Sequence, residues 1–462
     1  MADALRAVDA AGALAAEQEA AWRAGYLPHF RRLVVSGLAS PDAARTIARG
    51  GLDSLHDRMR VAGADGDRSL GEWTRDATDV PDTVTITGSR DPDVELSLPY
   101  EGRRLCGDEI LDRLESWVQA GVLEPSAADA VRAVVANPEW LRLDGMTVAV
   151  LGAGSEMGPL QALLRWGARV AAVDLPRPAV QKRVLRPAEE GAGTMLLPTR
   201  STAGGDPGTG TGAGIDLIAA APAAAQWLTE RPGRLVVGNY VYADGATNVR
   251  VAMAVDLLTQ RLREARPDTA LAFLATPTDV FAVPPEAVAH SVASYEGRSR
   301  RVKALSRPLR AVSGGRLLQR AYLPGADPGV IDSLVPQQGP NYALAKRLQR
   351  WRAVEARSAG ATVSMNVAPP TRTRSVVKNR ALAAAYAGAH RFGVEVFEPA
   401  TSNVLMAALL VHDLHTDGGP RHEHPWQDEA HEAVHGGLWR AAYGPRSALG
   451  LAALLGVGSA RG

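Results

Sequence analysis

From Thr147 onward the chain alternates short apolar runs with amphipathic segments of helical period, and this alternation constrains the fold more than any other feature. Parallel neighbours in a sheet need a crossover long enough to carry a helix, so the pattern builds a parallel sheet covered by helices on both faces. Strands are predicted at Thr147–Leu151, Arg169–Val173, Met195–Pro198, Ile215–Ala219, Arg234–Asn239, Leu271–Ala275, Thr362–Val367 and Val394–Phe397. The fold class expected is α/β, a doubly wound parallel sheet with a smaller helical and hairpin N-terminal domain. The expected division is 1–145 for that first domain, 146–414 for the sheet, and 415–462 for a His-rich segment with an apolar tail.

The first part reads differently. Ala, Leu, Glu and Arg dominate from Ala2 to about Val61, with Leu5, Val8, Leu14, Trp22, Leu27, Phe30 and Leu33 recurring at three- and four-residue steps, which predicts helices. Between Pro81 and Tyr100 the period shifts to two, with Val84 and Ile86, then Val94, Leu96 and Leu98, on either side of turn material from Gly88 to Asp93. A hairpin is expected there. Helices are predicted over Asp108–Ala120 and Ser126–Ala136, the second capped by Ser126.

At 462 residues the chain exceeds the roughly 250 to 300 that one core uses, and its 46% hydrophobic and 22% charged residues are those of a globular protein. Fifty-one basic against fifty acidic residues leave a net charge of +1, too little to draw in nucleic acid, which is not expected as a partner. The single cysteine, Cys106, excludes an intrachain disulfide and a thiolate-based structural zinc site, and suits a reducing cytoplasm. Met1 to Ala15 lacks the pattern of a signal peptide. The most apolar tract, Ser447 to Gly458, falls short of the roughly 20 residues that span a membrane, so no membrane partner is expected either. The stretch Ser201 to Gly214 is too rich in Gly and Thr to pack and reads as a surface loop.

After the strand Thr147–Leu151 come Gly152, Ala153, Gly154, Ser155, Glu156, Met157 and Gly158, and then a helical pattern through Leu160, Leu163, Leu164 and Trp166. Strand, glycine turn and helix in that order suit a dinucleotide, because a pyrophosphate rests on free N–H groups at a helix start and only glycine lets the backbone approach it. The expected cofactor contacts at the turn are Gly152, Gly154, Ser155, Met157 and Gly158. Asp174 ends the next strand, where a carboxylate accepts hydrogen bonds from both adenosine ribose hydroxyls and repels a 2′-phosphate. NAD(H) is therefore preferred, although Arg177 close behind leaves room for NADP(H). The expected architecture is that of a Rossmann domain.

Tyr342 and Lys346 lie four apart on one face of a predicted helix that continues through Leu348, Trp351 and Val354. An ammonium a few ångströms from a phenol stabilises the phenolate and lowers its pKa, which lets the pair trade protons with a carbinol. With these residues on the page, the chain resembles the short-chain dehydrogenase/reductase superfamily from about Met146 to Leu414. The matching pieces, in order, are the glycine turn, Asp174, Asn248 at a helix start, the YxxxK of Tyr342 and Lys346, and the segment Pro369, Pro370, Thr371, Arg372, Thr373. The resemblance implies that Asn248 holds a water of a proton relay, Tyr342 is the acid/base, and Lys346 binds the nicotinamide ribose. It also implies that Pro369, Pro370, Thr371 and Thr373 border the nicotinamide and its phosphates. The family's Ser or Thr that orients the substrate oxygen is expected at Thr276 or Thr278, at the carboxyl end of a strand, with Ser333 in reserve.

Four departures stand out. The glycine spacing is GxGxxxG rather than the family's commoner TGxxxGxG, and Pro370 stands where the family usually has glycine. About sixty residues separate Ala275 from Tyr342. There is also one strand too many before Leu271: either Ile215–Ala219 or Arg234–Asn239 borders the nicotinamide, and in the second case Gly238, Asn239 and Tyr240 line the site.

Six of the ten histidines, His412, His415, His422, His424, His431 and His435, fall in one short segment. His431 to His435 reads HExxH, in which two imidazoles one helical turn apart hold zinc and the glutamate activates water. A third ligand would have to come from His422 or His424, since no Asp, Glu or His follows His435. A solvated segment is the simpler reading, and no metal is assigned. The run Arg298 to Lys303 reads as a solvated face, and the nine tryptophans, Trp140 and Trp166 among them, as helix–sheet contacts. The apolar tail from Ala448 to Val457 suits an interface.

The function expected is NAD(P)-dependent interconversion of a secondary alcohol and a ketone on a small-molecule substrate, in a cytoplasmic homo-oligomer such as the superfamily usually forms. Two alternatives stay open: a redox-silent NAD(H)-binding sensor or scaffold, and a zinc hydrolase using His431, Glu432 and His435.

Overall fold

In the computed structural model, residues 1–62, 66–73, 79–199 and 212–458 are described. Seven strands form the central sheet: β1 (Asp82–Thr87), β2 (Met146–Leu151), β3 (Arg169–Val173), β4 (Thr194–Thr199), β5 (Arg234–Asn239), β6 (Ala270–Ala275) and β7 (Val363–Val367). Their order is β7-β6-β5-β2-β3-β4-β1, with β2 to β7 mutually parallel and β1 antiparallel to β4. Parallel strands covered on both faces read as unbroken apolar runs, and every residue of β2 from Thr147 to Leu151 is buried. The fold is thus a mostly parallel, helix-flanked sheet of Rossmann-like order. The chain leaves β2 toward β3 on one side and returns through β5 on the other, so the strand order reverses between β2 and β5. Register places Asn239 level with Leu151 and Phe273, and Ala275 level with Val367. The segments leaving β2, β5, β6 and β7 therefore share one edge of the sheet, with neighbouring strands about 4.8 Å apart.

Several expectations change. Ile215–Ala219, predicted as a strand, is the entry to a helix: the Asp216 side chain accepts the Ile218 N–H at 2.9 Å and caps Leu217–Thr229. A short apolar run before an alanine-rich stretch does not distinguish strand from buried helix. β5 is consequently the strand beside β2. Val394–Phe397 makes only an isolated parallel bridge, Thr371 with Phe397, before Pro399 opens the next helix. The hairpin predicted over Pro81–Tyr100 does not form. Its first half is β1, paired with β4 in the central sheet, and Ser97–Tyr100 pairs with Arg103–Cys106. The helix predicted from Ser126 starts at Pro125 with Glu124 as N-cap residue, and the Ser126 hydroxyl accepts the Glu432 N–H at 2.9 Å instead. The glycine-threonine loop from Ser201 lies largely outside the described residues.

The N-terminal helices Trp22–Gly37 and Pro41–Arg58 lie against the helix Gly339–Ser358 that carries Tyr342 and Lys346. Trp351 nests on Gly51, where a Cβ would stand 2.5 Å from the indole, and Phe30, Leu33, Ile47 and Leu52 belong to the same apolar cluster. The long run before Tyr342 opens and closes with an antiparallel pair, Val280–Val283 with Gly329–Asp332, and carries the helices Pro285–Glu296 and Arg300–Val312 between them. Within the run Arg298–Lys303, Arg298 is drawn inward, 3.4 Å over the Tyr295 ring and donating to the Tyr443 hydroxyl, while Arg300 and Arg301 are exposed. The apolar tail forms the helix Pro445–Gly456 and packs on Arg380–Gly388 so closely that a Cβ on Gly388 or Gly456 would strike opposing backbone. Among the described residues, no helix is long and apolar enough to cross a membrane.

Candidate functional site

The glycine turn leaves β2 beneath the chain that leaves β5. Gly152 has φ +80°, and a Cβ there would stand 2.9 Å from the Tyr240 carbonyl and from Val241 Cα. Only glycine fits, on conformation and on space. Gly152→Ala is expected to destabilise the protein by about 2–3 kcal/mol, the sum of a left-handed penalty and a backbone clash. A thermal melt with a loss below half of that would remove the requirement. The turn satisfies most of its own amides: Gly152 and Ala153 donate to Val173 O, Ser155 to Gly152 O, Met157 to Ser155 Oγ, and Gly158 to Ser155 O. The helix that follows, Leu160–Arg165, spans six residues, and Met157 packs against the core.

Gly154 N–H donates to Asp174 Oδ2 at 2.7 Å, and Leu175 N–H to Asp174 Oδ1 at 2.7 Å. Each carboxylate oxygen keeps a lone pair, so the aspartate can still accept a pair of hydroxyls. A Cβ on Gly154 would lie 3.1 Å from Asp174 Oδ2 and 3.5 Å from the Arg183 guanidinium. Arg183 thus stands beside turn and acid, a cation that sequence spacing did not single out. Arg177 flanks the same strand end as the N-cap residue of Pro178–Glu189.

Two strands along the same edge, Tyr342 projects from the first turns of Gly339–Ser358 toward the loop after β6. The hydroxyl of Thr276 is close enough to Tyr342 to hold its phenol down by hydrogen bonding. Thr276 Oγ1 lies 2.9 Å from Thr278 Oγ1, which accepts Gln338 Nε2–H at 2.7 Å. Because the amide can only donate, Thr278 is free to donate to Thr276, and Thr276 to the tyrosine oxygen. The chain of donors is aimed at the atom that would carry negative charge were Tyr342 to lose its proton.

Lys346 is placed differently from the expectation. Its Nζ donates to Leu274 O at 3.2 Å and Gln349 Oε1 at 3.3 Å. Burial lowers its pKa to about 8, against the pull of Asp279. Burial raises the Tyr342 phenol above its usual value, Thr276 works against that, and Asp279 adds to it. In this arrangement the tyrosine is a protonated phenol at neutral pH rather than a phenolate held by the lysine. Two further tyrosines close on it: the Tyr242 ring meets it edge-on at 6.1 Å, and Tyr386 is pushed up by burial and then by Tyr342 itself. Tyr242 follows a strand end closely enough to have been suspected from sequence; nothing in the sequence marks Tyr386 or Gln338.

Asn248 is buried at the start of Ala246–Ala265, and its Oδ1 accepts Ala243 N–H at 3.1 Å, bracing the loop that carries Tyr242. Asn239 is buried at the end of β5 and steadies Val241 N. After β7 the segment Pro369–Thr373 lies on the same edge. The Thr371 hydroxyl is buried between Pro369 O at 2.9 Å and Ser402 Oγ at 2.7 Å, so it faces inward, whereas Thr373 is half-buried beside the exposed Ser375. Arg374 follows, and both its N–H and its guanidinium reach Glu156 in the glycine turn at 2.9 Å, a strap from β7 to β2 across the strand ends. The Ser333 hydroxyl is buried without a hydrogen-bond partner, while its N–H donates to Asp279 O.

The HExxH reading is corrected. The helix Pro425–Ala430 ends before His431, and His435 turns away to accept a place beside Glu124, 3.0 Å from Oε1, stacked 4.7 Å from Trp439. His431 and His435 do not share a helical face, so the motif offers no zinc pair. Of the other histidines, His415 stacks on Trp140 at 4.8 Å and His424 meets Gly37 O at 3.2 Å. No family model matches this chain, and no curated protein is similar enough to count as a relative.

Proposed function

We propose that the protein is an NAD(P)(H)-dependent oxidoreductase of the short-chain dehydrogenase/reductase kind, interconverting a secondary alcohol and a ketone. The observation that carries this reading is the directed chain Gln338, Thr278, Thr276, Tyr342, on the same sheet edge as the Gly152 turn and Asp174. The residues fit a dinucleotide in one respect that chemistry requires: Asp174, packed against the glycine turn, keeps a lone pair on each carboxylate oxygen for ribose hydroxyls. Gly152, Gly154 and Ser155 would approach the pyrophosphate, Asp174 the adenosine ribose, and Lys346 and Thr373 the nicotinamide half, with Arg183 beside Asp174 compatible with a 2′-phosphate. The dinucleotide would supply or receive the hydride.

Tyr342 then works as a proton donor to the carbonyl oxygen, and the two threonine hydroxyls steady the phenolate as it forms. Burial keeps Tyr342 a protonated phenol, so its proton is in place for the reduction of a ketone. Thr276 beside Tyr342 supports this reading over a redox-silent sensor. The Lys346 ammonium, charged below about pH 8 and neutral above it, donates to Leu274 O and Gln349 Oε1 and would serve the nicotinamide half rather than the phenolate. kcat/KM for carbonyl reduction is therefore expected to be level below pH 8 and to fall about tenfold per unit above it, as a pH–rate profile would record.

The first test is titration of NADH and NADPH, followed by their absorbance on a panel of ketones. Removing Asp174 as Asp174→Ala is expected to weaken NADH about ten- to a hundredfold, the effect of losing hydrogen bonds to a charged group, and NADPH less. Failure of the wild type to bind either nucleotide at millimolar concentration would sink the proposal.

A further inference from the structure

Outside the sheet edge just described, two carboxylates face one another in the interior. Asp413 sits in the last turn of Pro399–His415, and Glu432 lies in the loop beyond Pro425–Ala430. Glu432 adopts φ +58°, an unfavourable conformation for a residue with a Cβ. Its side chain is 2% exposed, and neither Oε1 nor Oε2 has a hydrogen-bond partner. A buried carboxylate left without donors is costly, so such a group normally meets a cation.

The nearest nitrogens are placed as neighbours rather than as donors. His412 Nδ1 is 3.1 Å and His431 Nε2 3.4 Å from Glu432 Oε1, yet neither makes a hydrogen bond to it, and His412 Nδ1 is itself buried and unpartnered. Ligands about 2.0–2.1 Å from one zinc ion at tetrahedral angles stand about 3.3–3.4 Å apart and point at the ion instead of at each other. Donor atoms of His412, Asp413 and Glu432 all lie within 4.8 Å of one another. Asp413 is braced as a metal-bound carboxylate is: its Oδ2 accepts Ser364 Oγ at 2.6 Å and Asn366 Nδ2 at 2.8 Å, which leaves Oδ1 toward Glu432. Arg357, whose guanidinium borders the same cavity, is held 3.1 Å from Asp428. A cavity bordered by Met365, Asn366, His431 and the two carboxylates gives access.

We propose that His412, Asp413 and Glu432 hold one divalent transition-metal ion. Imidazole nitrogens select zinc and its neighbours over calcium or magnesium, and the absence of thiolate agrees with carboxylate-and-imidazole coordination. The ion fastens the loop 431–435 over the outer edge of β7, where Val434 N–H donates to Val367 O at 2.9 Å. Val354, which lines the cavity, is twelve residues and hence about 18 Å along its helix from Tyr342, so the role is to hold the fold rather than to act in the hydride chemistry.

Tag-free full-length protein, freed of metal by chelator and then given excess Zn2+ and dialysed, is expected to retain one zinc per chain by mass spectrometry of the metals. Glu432→Gln and His412→Ala should each retain less than a tenth of that, while His415→Ala, three residues away and stacked on Trp140, keeps it in full. Zn2+ should raise the melting temperature of the wild type and of His415→Ala, and leave His412→Ala unmoved even if Glu432→Gln fails to fold. The proposal is overturned if wild type retains no zinc, if His412→Ala retains as much as wild type, or if Glu432→Gln melts higher than wild type with no response of either to Zn2+, which is the behaviour of a plain acid pair.

Discussion

Tyr342→Phe is expected to lower kcat for carbonyl reduction by about a hundred- to ten-thousandfold while leaving NADH affinity within a factor of two. The change removes one oxygen from a helix whose packing rests on Ala343, Leu348, Trp351 and Ala353, so the melting temperature should barely move. The hydroxyl lost is the terminus of the Gln338, Thr278, Thr276 chain, and the three upstream donors would be left aimed at an aromatic edge. Thr276→Val should reproduce part of the loss, about tenfold or more, because one hydrogen bond to a charge in formation is worth about 1.5–3 kcal/mol. Equal turnover by wild type and Tyr342→Phe on every ketone tested removes the tyrosine from the mechanism.

The second large effect concerns stability. Asp279, 1% exposed, takes Arg347 at 2.8 Å and Arg350 at 2.9 Å, and Arg350 continues to Glu429 through bonds of 2.6 and 2.5 Å. Burial alone would push the Asp279 carboxyl up; the two guanidiniums more than reverse that. Asp279→Ala strands two buried cations and is expected to cost about 3–5 kcal/mol in denaturant unfolding. Arg347→Met should cost less than half as much. Burial and then Arg350 lower the Arg347 pKa to about 10, so it is the cation least at ease in the cluster. A loss under about 1 kcal/mol for Asp279→Ala would mean that water reaches the cluster.

What could be read from sequence follows from the range of the interactions involved. The strands β2, β3, β5 and β6 were legible because a parallel strand buried on both faces is largely apolar, a local property, and β7 by the valines and methionine that flank Ser364 and Asn366. The glycine turn and Asp174 were legible because the turn's geometry demands glycine at fixed positions. β1 was misassigned because Val84 and Ile86 alternate equally well in a hairpin or on a sheet edge, and only the partner, β4, decides. Thr276 could be anticipated from its place at a strand end, but Gln338 and Tyr386 reach Tyr342 through folds in the chain that leave no periodic trace. His431 and His435 misled for the converse reason: the spacing was right for a helix that the chain ends at Ala430.

The nesting of Trp351 on Gly51 gives the first sixty residues a mechanical part in whatever Tyr342 does. The helix that carries Tyr342 rests on a bearing made by a segment that precedes most of the central sheet in the chain. Trimming the protein to its sheet alone would bare an indole and a strip of leucine and isoleucine partners, and the tyrosine would lose its fixed aim before it lost its chemistry.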